Sequence, residues 1–497
     1  MRSIISILSI FTLIAFSACD KELDQQPVSN VTEGNFYKNS NDFVQAVNGS
    51  YAQLKNYPLQ ALWLGELRSD NLNVLNAGNR DWQGIRDFLP TISTVGFVVN
   101  SWNNNFNGIF NANSAISAID EKGSVITDAA LRSRLTGEAH FLRAFYYFQL
   151  VRLYGKVPLI EKPMTASEAA SVPRSPVADV YDLIIKDLQF AALNLPPSYT
   201  GANVGRATSW AAKGLLGLVY LTKSGPTYGV DGPGLNSNEY DKALKLFNEV
   251  IDSKQFEFLS DYASIFSYTN ENNKEVIFDV QFMSSGNGTN FPNQLVPVPY
   301  FTSIGLSNAY GNGFGASNFS ISRDLISSYA AGGNDIRRTF NINSTYNANS
   351  TFIKKYLDVS KRGVNGTDWP INFIVLRYTD ILLMKAEAIL HGGGGTQAEV
   401  DEIVNRVRTR AGIGSIPLTN VNLNTLMEER RKEFLGEGLR WNDLIREGLA
   451  VTTLNSWIAK EQITTIKTVV PDYIIYPIPS GELFIKPGLY EQNKGYN

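Results

Sequence analysis

The chain has 497 residues and a formal net charge of −3, with 44 Lys+Arg against 47 Asp+Glu. That balance excludes a surface built to attract nucleic acid or an anionic membrane. A single cysteine excludes a disulfide framework, so a chain long enough for one large domain or two smaller ones must be held by its core.

The first 18 residues read as an export signal peptide. Arg2 supplies a positive start, and Ile4 to Phe16 is almost wholly apolar but too short to span a bilayer. Phe16-Ser17-Ala18-Cys19 has the form of a bacterial lipobox, with Phe where Leu is commoner. Cys19 is therefore expected to be the lipidated first residue of the mature protein, which gives an unpaired exported cysteine a purpose. Residues 19–30 read as that cysteine and a flexible tether, opened by the acidic run Asp20-Lys21-Glu22-Leu23-Asp24. The run resembles the signal that sends some lipoproteins to the outer face of the outer membrane.

Residues 31–256 read as helical. Leu131, Leu135, Leu142, Tyr146 and Leu153 form one apolar stripe, and Phe141 to Leu153 is apolar nearly all round, which predicts burial on several sides. Val177, Val180, Tyr181, Ile184, Leu188 and Ala191 form a second stripe. Ala207, Trp210, Ala211, Gly214, Leu215, Leu218 and Leu221 form a third, and the small residues Ala211, Gly214 and Gly217 predict a close neighbour. Past a Gly/Pro loop, Tyr240, Ala243, Leu244, Phe247, Val250 and Ile251 form a fourth. Trp102 and Trp210 fall on such stripes and are expected in the core.

Residues 257–375 are rich in Asn, Ser, Gly, Pro and aromatics. They read as a loop-rich insertion with a few short strands, Glu275 to Val280 among them. Residues 376–497 return to helix, with Val400, Ile403, Val404, Val407 and Ala411 repeating the stripe after a stop at Gly392–Gly395. The expected fold is mainly α: helical hairpins stacked in a tetratricopeptide-like right-handed superhelix, packed against an irregular loop-rich lobe.

Three segments carry a family likeness. Gly137-Glu138-Ala139-His140-Phe141-Leu142-Arg143-Ala144-Phe145-Tyr146-Tyr147-Phe148, running on to Leu153-Tyr154-Gly155-Lys156-Val157-Pro158-Leu159, is the first. Leu376-Arg377-Tyr378-Thr379-Asp380-Ile381-Leu382-Leu383-Met384-Lys385-Ala386-Glu387-Ala388 is the second. The third runs from Glu429-Arg430-Arg431-Lys432-Glu433-Phe434 to Gly438-Leu439-Arg440-Trp441-Asn442-Asp443-Leu444. Tyr476-Pro477-Ile478-Pro479 and Gln492-Asn493-Lys494-Gly495-Tyr496 follow, with Lys494 where the family usually has Pro. In this order they resemble the SusD/RagB family of lipid-anchored nutrient-binding proteins. The resemblance implies a cell-surface protein of the outer membrane that captures oligosaccharide or polysaccharide. It also implies delivery to a TonB-dependent SusC-like transporter. Peptide capture of the RagB kind, or a mainly structural transporter lid, are the alternatives.

The motifs themselves read as scaffold. Glu138 shares a stripe with Leu131 and Leu142 and needs a partner, which Arg143, Arg377, Arg430 or Arg440 could supply. No Gly-x-Ser-x-Gly elbow, Walker loop, His-Glu-x-x-His or Cys/His cluster is present, and His140 and His391 read as structural. No enzymatic activity, cofactor or metal is expected. Binding needs only aromatic faces and a few hydrogen-bonding groups. Two regions offer these: the turn-rich stretch with Asp70, Asn73, Arg80 and Trp82, and the loops with Tyr300, Tyr310, Asn312, Phe314 and Trp369.

Overall fold

The computed structural model describes residues 36–74, 81–311, 319–330, 334–347 and 350–497. Cys19, Arg80, Asn312 and Phe314 lie outside the described residues, as do the leader and tether.

Six long helices run through the described residues of the first half, besides shorter ones: α1 (Ser40–Tyr51), α2 (Gly96–Lys122), α3 (Ala129–Tyr154), α4 (Val177–Asn194), α5 (Ser209–Ser224) and α6 (Tyr240–Asp252). Their starts follow local chemistry. Asn39 and Asp42 form a capping box before α1, Asp128 accepts two backbone N–H groups at the head of α3, and Thr208 caps α5. Each helix packs on the next, from α1 through α6. This is the stacked arrangement that repeating apolar stripes imply. The second half of α3 is buried at every position from Phe141 to Tyr154, as its all-round apolar sequence predicts.

The small residues of α5 do what their size suggests. A Cβ at Gly214 would come within 2.8 Å of Leu376, and one at Gly217 would run into the Phe247 ring of α6. Trp102 is buried and meets Tyr154 edge to face, but Trp210 is only partly buried, with Lys213 over its ring.

The insertion leaves α6 and returns before α8 (Tyr378–Leu390), yet α6 and α8 pack directly on each other. Its neck is a two-stranded ribbon, β2 (Val276–Val280) against β4 (Phe373–Arg377), antiparallel, pairing Val276 with Arg377 and Val280 with Phe373. Within it, β3 (Phe319–Ile321) leads into α7 (Arg323–Ala330), and β3 pairs with the early strand β1 (Leu72–Val74). The helices then continue with α9 (Gln397–Arg410), α10 (Leu423–Glu433), α11 (Arg440–Arg446), α12 (Ala450–Glu461) and α13 (Ser480–Ile485).

Buried charges bind lobe to scaffold. Arg337 of the insertion, fully buried, reaches Asp335, Glu429 and Glu433 at 2.7, 2.6 and 3.0 Å. Arg377 holds Glu433 at 2.9 Å and Glu437 at 3.0 Å, Arg410 joins Glu433 to Glu275, and Lys355 reaches Glu437 at 2.7 Å. Burial opposes the Glu433 charge, but Arg410, Arg377 and Arg337 outweigh it and hold that carboxyl well below the usual range. The expected donors for Glu138 are corrected here. Its partners are Arg206 at 2.8 Å and Arg134 at 3.6 Å, and the four arginines named from sequence serve other acids. His140 is paired with Asp187 and His391 with Glu447, both in scaffold positions.

Candidate functional site

The ribbon β1–β3 brings the two sequence-nominated regions together. Val74 lies opposite Phe319, so described residues of the two stretches meet on one ribbon. Residues more than 200 positions apart in sequence thus share one edge of the loop-rich lobe. No sequence periodicity signals this, because β1 and β3 are only three residues long each.

The described candidates fall into two groups. Trp82 has no exposed surface and packs 4.4 Å from the Phe319 ring, and Trp369 is likewise fully buried and exchanges backbone hydrogen bonds with Thr289 at 2.9 and 3.0 Å. Neither indole presents a face to solvent, which corrects the expectation that they stack on a ligand. Both rings belong to the main apolar core that the lobe shares with the helices. Asp70 is buried too. Both its carboxylate oxygens engage Arg440, at 2.8 and 3.0 Å, and Arg431 stands 3.0 Å away. Burial raises its pKa, but the two guanidinium groups prevail and hold it at about 2. A carboxylate so committed anchors the turn, its charge already matched by two guanidinium groups.

Asn73 is half-buried and acts as a junction. Its Oδ1 accepts from Arg86 at 2.6 Å and from the Val74 backbone at 2.8 Å, while its Nδ2 donates to Glu461 at 3.3 Å. Asp70, together with Arg431, lines a cleft of about 630 Å3 between α7, α10 and α12. Asp324, Ser327, Glu428, Thr452, Ser456 and Lys460 line it, with Trp457 in the wall. Arg431 and Lys460 already neutralise Asp324. What the cleft offers is therefore hydroxyl groups and paired charges.

Tyr310 and Tyr300 keep part of their rings at the surface. Trp369 supports Tyr310 edge-on at 6.3 Å, the Tyr310 hydroxyl donates to the Gly363 carbonyl at 3.2 Å, and exposed Arg362 lies 5.5 Å from its ring centre. Tyr300 meets Tyr346 at 5.6 Å and Phe352 at 4.9 Å. Arg362 and Tyr346 were not singled out by sequence; the one available signal was a cation and an aromatic among polar loop residues. The backbone at Tyr310 is held by Asn293, whose Nδ2 donates to the Tyr310 carbonyl at 2.6 Å, and the Asp368 carboxylate next to Trp369 accepts backbone N–H groups of Ser285, Gly286 and Gly288 at 3.1, 2.9 and 3.2 Å. Rigid, half-exposed rings beside amide, hydroxyl and guanidinium donors suit a ligand with both apolar faces and many hydroxyls.

Known proteins resemble the chain over nearly all its length. A profile described as "SusD family" matches residues 333–496, and one described as "Starch-binding associating with outer membrane" matches residues 21–221. A SusD-like protein from Bacteroides ovatus is 27% identical over 87% of this chain and 80% of its own, and one from Formosa agariphila is 27% identical over 98% of both. Among solved structures, a laminarin-binding SusD-like protein is 26% identical with a TM-score of 0.75, covering 93% of this chain and 100% of the other. Surface glycan-binding protein A from Bacteroides fluxus, at 24% identity, has a TM-score of 0.77 over 94% of this chain and all of its own, which bears on the fold.

Proposed function

Because the chain belongs to the SusD/RagB family, we propose that it captures oligosaccharide or polysaccharide nutrients at the outer membrane and passes them to a partner TonB-dependent SusC-like transporter. The observation that carries this reading is the full-length likeness to a laminarin-binding SusD-like protein. The half-exposed Tyr310 and Tyr300 of the loop-rich lobe support it. Sugar rings present C–H faces that stack on tyrosine, and their hydroxyls pair with amides, hydroxyls and guanidinium groups. Cys19 provides the lipid that holds the protein at the membrane. The protein acts by holding and releasing its ligand, and no bond of the glycan is broken.

Electrophoresis through gels containing laminarin, starch or other polysaccharides tests this. At least one polysaccharide retards the wild-type protein, and Tyr310→Ala restores most of the mobility while lowering the unfolding midpoint only slightly. If peptides raise the midpoint while no glycan does, the substrate class is wrong. Co-purification of the lipidated protein with a TonB-dependent barrel from outer membranes tests the partnership, and recovery of the protein alone opposes it.

A further inference from the structure

A second cleft, of about 750 Å3, lies apart from the loop-rich lobe and shares no residue with the surface described above. One wall is α2. A second is the arm from Pro158 to Ala170, and the third is the C-terminal stretch from Glu482 to Tyr490. The walls are fixed to one another, α2 to the arm through Asn113, whose Nδ2 donates to the Ile160 carbonyl at 2.8 Å. Tyr490 donates to the Val172 carbonyl at 3.0 Å, Arg174 donates to the Glu491 carbonyl at 2.7 Å, and Lys486 approaches Ser171 at 3.4 Å. A cleft closed by such cross-bonds exists before any ligand arrives.

Its lining is specific in pattern. Phe106 and Phe110 are four residues apart on α2, as are Asn103 and Asn107, and the two pairs make adjacent rows along one helix face. Phe110 is 53% exposed, a large ring left open to solvent. Buried Trp102 and Ile109 form the floor. Among the described residues, the Asn103 and Asn107 amides and the Glu482 carboxylate have no hydrogen-bond or ion-pair partner. Burial raises the Glu482 pKa.

Three classes of occupant are separated by this chemistry. An apolar protein segment would bury three polar groups without partners, at about 1–3 kcal/mol each. An anion would face Glu482, and a cation would face Lys486. A neutral polyol satisfies every group: rings stack on its C–H faces, amides both donate and accept, and the carboxylate accepts hydroxyl protons. We propose that this cleft is a second carbohydrate site, in which one stretch of a glycan chain runs along α2 over Phe106 and Phe110. The proposal rests on the glycan reading above and extends it to a surface that the lobe does not reach. Two sites on one protein would hold a long polymer more tightly than either alone, through effective concentration.

The test uses the full-length mature protein and a glycan that retards it. Asn107→Ala/Phe110→Ala removes two exposed side chains and is expected to leave the unfolding midpoint unchanged. Calorimetry with a short oligosaccharide should show two sites in the wild type and one in this variant, and polysaccharide affinity should fall roughly five- to tenfold. Glu482→Gln keeps the shape of the side chain, and a weaker fall is expected from it. Wild-type stoichiometry in the double variant, or affinities unchanged in both variants, overturns the proposal. So does a variant that binds glycan normally but no longer co-purifies with the transporter, which makes the cleft a protein-docking surface. A wild type that binds one oligosaccharide, lost on Tyr310→Ala, overturns the second site and leaves the first; a wild type that binds none overturns both.

Discussion

The helical scaffold and the loop-rich lobe spend their polar residues differently. In the motif helices α8 to α11, charges are buried and saturated: Arg430 holds Asp380 at 2.7 Å and Asp443 at 2.9 Å, and Arg446 holds Glu387 at 2.5 Å. In the lobe, Arg362, Tyr300, Tyr310 and Tyr346 keep surface exposed. A saturated group specifies a fold and cannot bind anything else, while a half-exposed one is available to a ligand. The difference explains why the strongest motifs of the chain say the least about what it binds.

Substitutions in the two regions should break this contrast in graded fashion. The largest effect is expected from Arg377→Ala, which leaves Glu433 and Glu437 buried beside a missing cation. Removing one partner of such a pair costs about 3–5 kcal/mol, read by chemical denaturation. Trp82→Ala opens a cavity in the lobe at a cost of roughly 3–5 kcal/mol, and the surviving folded protein should still bind glycan with near wild-type affinity. An affinity collapse in folded Trp82→Ala would put that indole back in the binding surface. Asp70→Asn should cost less, since it keeps the shape and loses the charge facing Arg431 and Arg440, with binding again unaffected.

A smaller effect depends on pH. Burial raises the pKa of Asp279 on the neck strand β2 to about 7, only partly offset by hydrogen bonds from Gln281 and Asn372. The unfolded chain titrates this group near ~3.9. Between these values the folded protein holds a proton that the unfolded chain has lost. The contribution is therefore present at low pH and disappears as pH rises from about 4 through about 7. The midpoint should fall between pH 5 and pH 8, and Asp279→Asn should flatten that fall. An identical pH profile in the variant would mean that the carboxylate is better solvated than its burial implies. Smallest in stability is Tyr310→Ala, expected to cost under about 1 kcal/mol while removing most of the binding.

The fold was largely legible because it depends on short-range periodicity. The stripe in α5 and the all-round apolar run in α3 each specify a helix and the faces it buries, and Gly214 and Gly217 marked real close approaches. The candidate surface was less legible for a reason of distance. Asp70 reads as a free acid among turn residues until Arg431 and Arg440 arrive from the other end of the chain. Glu138 found Arg206 rather than any of the arginines in the motifs, because loop geometry decided the pair. Trp82 and Trp369 sit among polar neighbours in sequence, and nothing local says that Phe319 and Tyr310 will cover them. The cleft between α2 and the C-terminal stretch joins segments nearly 400 residues apart, beyond the reach of any motif.

Half-exposed loop residues of the lobe read the ligand, while the buried, paired charges of α8 to α11 only hold the fold. Hydrogen–deuterium exchange of the full-length mature protein, with and without a saturating glycan, measures this directly. The account predicts slowed exchange in the segments that adjoin Val74, Phe319 and Tyr310, with α8 to α11 unchanged. Exchange that does not slow in any of those three segments while the glycan is bound would contradict it.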